Sequence, residues 1–133
     1  MHYIYILLIV FLFMIGARNV NAQVEHNYPV GPQSTNCDSL DITLLSLDEA
    51  ILKVESSKFR FQQQFKISRT YGVMSAKYYS CNGKSGYLIM LVDKKDLMYL
   101  EVPKSVWDTL ITSSDINAFY KSEIEESYEL IKD

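Results

Sequence analysis

Histidine and cysteine are scarce in this chain, and that scarcity removes much chemistry at once. Its 133 residues include two histidines, two cysteines, one tryptophan, three prolines and five glycines. Beyond the N-terminal apolar run only His26 remains, in a stretch of amides and prolines that supplies no rigid element to place it beside a serine or cysteine nucleophile. One histidine and two cysteines 44 positions apart cannot supply the three or four convergent ligands of a zinc cage. No glycine-rich phosphate loop occurs, and few glycines and prolines exclude a collagen-like or low-complexity tract. The longest uncharged apolar run, Ile4 to Ile15, is twelve residues. At 1.5 Å per residue it falls short of a hydrocarbon core of about 30 Å. Catalysis, a metal site and a bound cofactor are therefore not expected, and the carboxylates of Asp93, Asp96 and the Glu123–Glu129 stretch read as solvated groups.

What is present is apolar enough to fold: 48% hydrophobic and 22% charged positions, on a length that suits one domain. The run Ile4–Ile15 followed by a polar stretch ending in small residues predicts a signal peptide over 1–22. Val20 and Ala22 fit the small subsites of signal peptidase. Its amino-terminal side carries only His2 and the α-amino group as cations, so an uncleaved amphiphilic anchor is the alternative. Cleavage would remove Arg18 alone, moving the formal net charge from −3 to −4. The expectation is an exported protein, periplasmic or extracellular, with no membrane span after cleavage.

Residues 23–45 read as a tether, since the prolines and amides there follow no apolar period, and 46–133 as the domain. Ser46-Leu47-Asp48-Glu49 is a capping-box pattern. Leu47, Ile51, Val54, Lys58, Phe61 and Phe65 then recur at three and four residues, which predicts a helix from 47 to about 66. A β-meander follows: Val73–Ser80, a turn at Cys81-Asn82-Gly83, Tyr87–Val92, a polar turn from Asp93 to Asp96, and Leu97–Val102. Pro103 suits the first position of a helix carrying Val106, Trp107, Leu110 and Ile111. A last helix is predicted to present Ile116, Phe119, Tyr120, Ile124, Tyr128 and Ile131. The fold class is α+β: a three-stranded antiparallel meander with helices on one face, in the order α-βββ-αα.

Cys37 and Cys81 form an even pair, which in an exported chain reads as one disulfide. Two free thiols, one of them buried, are the alternative.

Within this frame the stretch of about 73–129 resembles the KTSC domain, a small module also found at the C-terminus of some lysyl-tRNA synthetases. The landmarks are Ser75 before Tyr78-Tyr79; Tyr99-Leu100-Glu101-Val102-Pro103; Val106-Trp107; and Phe119-Tyr120, Ile124 and Tyr128. Tyr78 to Gly83 also reproduces the Tyr-Tyr-x-Cys-Asn/Asp-Gly hairpin of the secreted bacterial type. The family's Ser-x-Gly element and following Asn read here as Asp115, Asn117 and Lys121, with Asn117 standing where a positive φ would suit glycine. The resemblance implies a fold rather than an activity.

Two surfaces stand out. Residues 56–92 hold Lys58, Arg60, Lys66, Arg69, Lys77 and Lys84 with no acid, while the flanking stretches are acidic. Aromatics interleave with these cations, as on single-strand nucleic-acid surfaces. Ten carboxylates downstream offer the alternative of internal charge pairing. The other surface is aromatic. Tyr78 and Tyr79 are adjacent on a strand and must point to opposite faces. One of them, with Tyr87 or Tyr99, is expected on a sheet face left open by the helices, where it would meet a partner. An ordinary half-wet sheet is the competing reading. The overall expectation is a non-enzymatic interaction module with a protein partner, and nucleic-acid binding as the alternative.

Overall fold

The structure is a computed structural model that describes Cys37 and residues 40–131. The predicted leader, the tether residues 23–36 and His26 lie outside the described residues. The fold is α+β. Its elements run α1 (Leu47–Ser56), β1 (Phe61–Lys66), β2 (Val73–Ser80), β3 (Ser85–Val92), β4 (Lys95–Pro103), α2 (Lys104–Thr112) and α3 (Ile116–Phe119). A π-helical turn, Tyr120–Ile124, continues α3. The strands form one antiparallel sheet in the order β1-β2-β3-β4.

The sheet thus has four strands where three were predicted, because the predicted long helix stops at Ser56. The Ser57 N–H returns to the Val54 carbonyl, and the hydroxyls of Ser56 and Ser57 donate to the Lys53 carbonyl. Those bonds satisfy the terminal carbonyls, and Ser57 leaves in an extended conformation. At the other end, the Ser46 N–H and hydroxyl both donate to the Glu49 carboxylate, whose pKa these bonds lower. Phe61 and Phe65 then belong to β1, where Phe61, Gln63 and Phe65 are half-buried and alternate with exposed Gln62, Gln64 and Lys66.

Helical elements cover both faces of the sheet, not one. On one face Trp107 of α2 stacks between Tyr78 and Phe65, with centroids at 5.5 and 5.7 Å. Its indole N–H donates to Gln63. Leu88, Met90, Tyr99, Leu110, Tyr120 and Ile124 complete this core. On the other face Ala50 and Val54 of α1 pack with Ile42 and Phe59 over Tyr79, Ile89 and Met98. Each buried large apolar side chain is worth about 1.5–3 kcal/mol, and each stacked aromatic pair adds about 0.5–1.5 kcal/mol.

Three further boundaries differ from expectation. Residues 40–45, assigned to the tether, pack onto the domain: Ile42 is 3% exposed, and Leu40 and Leu45 lie against the same cluster. Pro103 ends β4 and caps α2 from the preceding position instead of occupying its first turn. The last helix does not reach Ile131. It closes with the Glu125 N–H on the Tyr120 carbonyl, and the chain then runs back along β4. There the Leu100 N–H meets the Glu129 carbonyl, the Ile131 N–H meets the Met98 carbonyl, and Leu130 bridges Tyr99. This return covers the β4 edge, a protection that edge strands commonly need.

A Cβ on Gly86 would run into the Tyr79 carbonyl oxygen of the neighbouring strand. Gly86→Ala is therefore expected to lower the unfolding free energy by about 1–3 kcal/mol in a urea titration. An unchanged midpoint would mean that β2 and β3 do not approach as closely as described.

Candidate functional site

A cleft of about 300 Å³ opens on the α1 side of the sheet. Its floor is aromatic. Tyr79 from β2, Tyr87 from β3 and Phe59 from the α1–β1 connection converge there. The Phe59 ring lies 5.3 Å from Tyr79 and meets Tyr87 edge-on at 5.9 Å. Cys37 and Cys81 form the disulfide, with Cα atoms 5.9 Å apart, and stand in the wall. Leu40, Ile42 and Thr43, together with Leu100 and Glu101 of β4, complete the described lining.

Leu100 and Glu101 are consecutive, so in a regular strand they would point to opposite faces. A β-bulge brings both to the cleft. Between the pairs Gly86–Val102 and Leu88–Tyr99, β3 has one residue, Tyr87, and β4 has two. Glu101 takes φ 51°, a left-handed conformation that glycine usually supplies at such bulges. Glu101 is the one charged side chain among the described residues lining the cleft.

Of the two cleft tyrosines, Tyr79 is 3% exposed and Tyr87 is half-buried. Burial raises the Tyr87 pKa, and the charge of Glu101 raises it further. Tyr79 is pushed up to about 12, by burial first and then by Glu55. Both stay neutral at physiological pH.

The sheet divides the four candidate tyrosines. Tyr79 and Tyr87 share the cleft. Tyr78 and Tyr99 lie on the opposite face, each 1% exposed. There Tyr78 donates to the Val102 carbonyl at 2.9 Å, and Tyr99 shares a 2.8 Å hydroxyl pair with Tyr120. The open sheet face expected from the sequence is covered among the described residues, because residues 40–45, α1 and Phe59 occupy it. The usable surface is the gap they leave.

The six basic residues do not converge. Arg60 adjoins the start of β1 and lies 5.4 Å from the Phe61 ring centre, and Lys84 belongs to the hairpin at the same end of the sheet. Lys66 and Arg69 lie at the other end, a β1 length of about 17 Å away. Lys77 pairs with Glu55 of α1, and Lys58 directly precedes buried Phe59. Of the interleaved rings, Phe59, Tyr78 and Tyr79 are buried, and Tyr71 is the exposed one.

A second cleft, also about 300 Å³, lies at the opposite end, lined by Asp93, Asn117, Tyr120, Lys121 and Glu125 among others. Its polar groups are largely used in the fold. Asn117 accepts from the Val73 N–H at 2.8 Å, and Asp93 accepts from the Gly72 N–H at 2.7 Å. Asn117 stands inside α3 and not in a positive-φ turn, so its side chain serves as a brace. Among the described residues no group of three or more His, Cys, Asp or Glu side chains is placed to hold a metal ion, and no helix is long and apolar enough to cross a membrane.

Sequence reasoning missed Phe59, Glu101 and the 40–43 wall. The alternation Phe61-Gln62-Gln63-Gln64-Phe65 offered a signal for β1 and hence for Phe59 as a connector. Nothing in the local sequence marks Glu101 as left-handed. Comparison with models of protein families, with curated proteins and with solved structures finds no match.

Two outcomes follow from this geometry. Tyr78 and Tyr79, both at about 12, bind their protons more tightly folded than unfolded, where a phenol titrates near 10. The stability they contribute is therefore complete below pH of about 10 and is lost as pH rises through about 12. Denaturant midpoints measured from pH 9 to 12 should fall, and Tyr79→Phe should flatten the decline. Replacing strained Glu101 by glycine should leave stability unchanged or raise it by up to about 1 kcal/mol, whereas Glu101→Val should lower it. Equal midpoints for the two variants would contradict the bulge geometry.

Proposed function

We propose that this chain is an exported, non-enzymatic, KTSC-like interaction module that takes an extended segment of a partner protein into the aromatic cleft. The observation that carries this reading is the convergence of Phe59, Tyr79 and Tyr87 on one opening. Pockets of this kind, mostly apolar with a few placed polar groups, are the usual form of a binding site. The size supports one or two inserted side chains rather than a whole docked face. The disulfide supports an oxidising compartment, and the run Ile4–Ile15 supports export.

The test is capture from envelope and culture-supernatant extracts by immobilised oxidised protein, with and without nuclease, alongside Thr43→Trp, which fills the cleft from an exposed position. Saturable, nuclease-resistant capture that Thr43→Trp abolishes is the expected result. Capture unaffected by Thr43→Trp would remove the cleft from the function. A nuclease-sensitive yield would move the function to the basic residues of 56–92.

A further inference from the structure

The cleft is chemically lopsided. Three rings line it, Tyr87 the least buried of them, and Glu101 contributes the one formal charge among the described lining residues. Among the described residues no lysine or arginine lines it. The Glu101 charge is close enough to the phenol of Tyr87 to raise its pKa. Glu101 also holds a left-handed backbone conformation that is unfavourable for a residue with a Cβ. Strain retained at a ligand-sized opening is a pointer to function, and here it sets an acid beside an aromatic cluster.

We propose that the cleft recognises an arginine side chain presented by an extended segment of the partner protein. This rests on the binding reading above and names the chemistry that the cleft selects. Rings with a carboxylate beside them complement a delocalised cation: the guanidinium lies against the aromatic surface at Tyr87, while its fork of N–H donors meets the Glu101 carboxylate. A lysine ammonium is more strongly hydrated and lacks the planar fork, so it gains less from the same walls. A neutral apolar side chain would use the rings and leave Glu101 without a counter-charge. The cavity of about 300 Å³ is at the small end of ligand sites, which fits one inserted side chain.

The experiment titrates the oxidised protein with three blocked tripeptides, Gly-X-Gly, in which X is arginine, its neutral isostere citrulline, or norleucine. Backbone amide shifts of Gly86, Tyr87 and Leu100 report occupancy by NMR. The arginine peptide should bind about tenfold more tightly than the citrulline peptide. Glu101→Gln should erase most of that difference, and Thr43→Trp should abolish both responses. Because Glu101→Gln keeps the size and the bulge position, folding is checked by its unchanged amide spectrum away from the cleft. Citrulline binding as tightly as arginine would overturn the inference, as would a preference for arginine that survives Glu101→Gln. If norleucine alone perturbs the cleft amides, the cation inference fails and the binding site stands. If none of the three does so, the cleft reading falls with it.

Discussion

The pleat of β2 is the constraint on which the rest of the molecule depends. Tyr78 and Tyr79 are neighbours in sequence and lie on opposite faces, each nearly fully buried. Two large rings pointing in opposite directions require cover on both sides of the sheet. Trp107 supplies it on one side by stacking on Tyr78. On the other, α1 and residues 40–45 lie over Tyr79, and Phe59 packs its ring against it. An antiparallel sheet commonly leaves one face wet. This one does not, and the two tyrosines show why: each side needs its own apolar layer. The cleft follows from that arrangement, since the second layer is made of short pieces that do not close completely over Tyr79 and Tyr87.

The bulge in β4 determines what the gap presents. A regular strand would show either Leu100 or Glu101 to the cleft, giving a wholly apolar pocket or a poorly packed acid. The extra residue shows both, so an apolar wall and a carboxylate share one side. It also exacts a left-handed conformation from a residue with a Cβ. The close passage of Gly86 beside the Tyr79 carbonyl belongs to the same local geometry, because the neighbouring strand can approach only where no side chain intervenes. Strain at Glu101 and close approach at Gly86 are thus two parts of one device that shapes the opening.

The α+β class, β2, the disulfide and the start of α1 were legible in the sequence because each is governed by local signals: β-branched and aromatic runs, paired cysteines, a capping pattern. The length of the first helix was not, for a definite reason. Phe61 and Phe65 are four residues apart, which is one helical turn and also two strand repeats. Only the exit formed by Ser56 and Ser57 decides between them, and it depends on hydroxyl bonds to Lys53 that a periodicity does not encode. A helix continued to residue 66 would absorb β1 and Phe59 and leave one face of the sheet uncovered. Half of the tyrosine set nevertheless lines the cleft, Tyr79 and Tyr87, since pairing across adjacent strands brings them side by side. Tyr78 and Tyr99 are drawn into the opposite core by tertiary partners, Trp107 and Tyr120, that lie far away in sequence.

The disulfide joins the cleft to the redox state of its surroundings. It closes a loop of 44 residues, a constraint worth roughly 4 kcal/mol on a chain-entropy account. Its structural role is more local. Cys37 anchors the segment that supplies Leu40, Ile42 and Thr43 to the wall, and Cys81 belongs to the hairpin beside Tyr79. Of those three wall residues only Ile42 is fully buried, with Leu40 packed more loosely against the same cluster, so the bridge adds to a partial apolar hold. With the bridge intact, the wall and the aromatic floor are fixed relative to each other, which lowers the ordering cost of taking in a side chain. Reduction removes that tie together with the roughly 4 kcal/mol of chain constraint, so it loosens the cleft and weakens the fold at once.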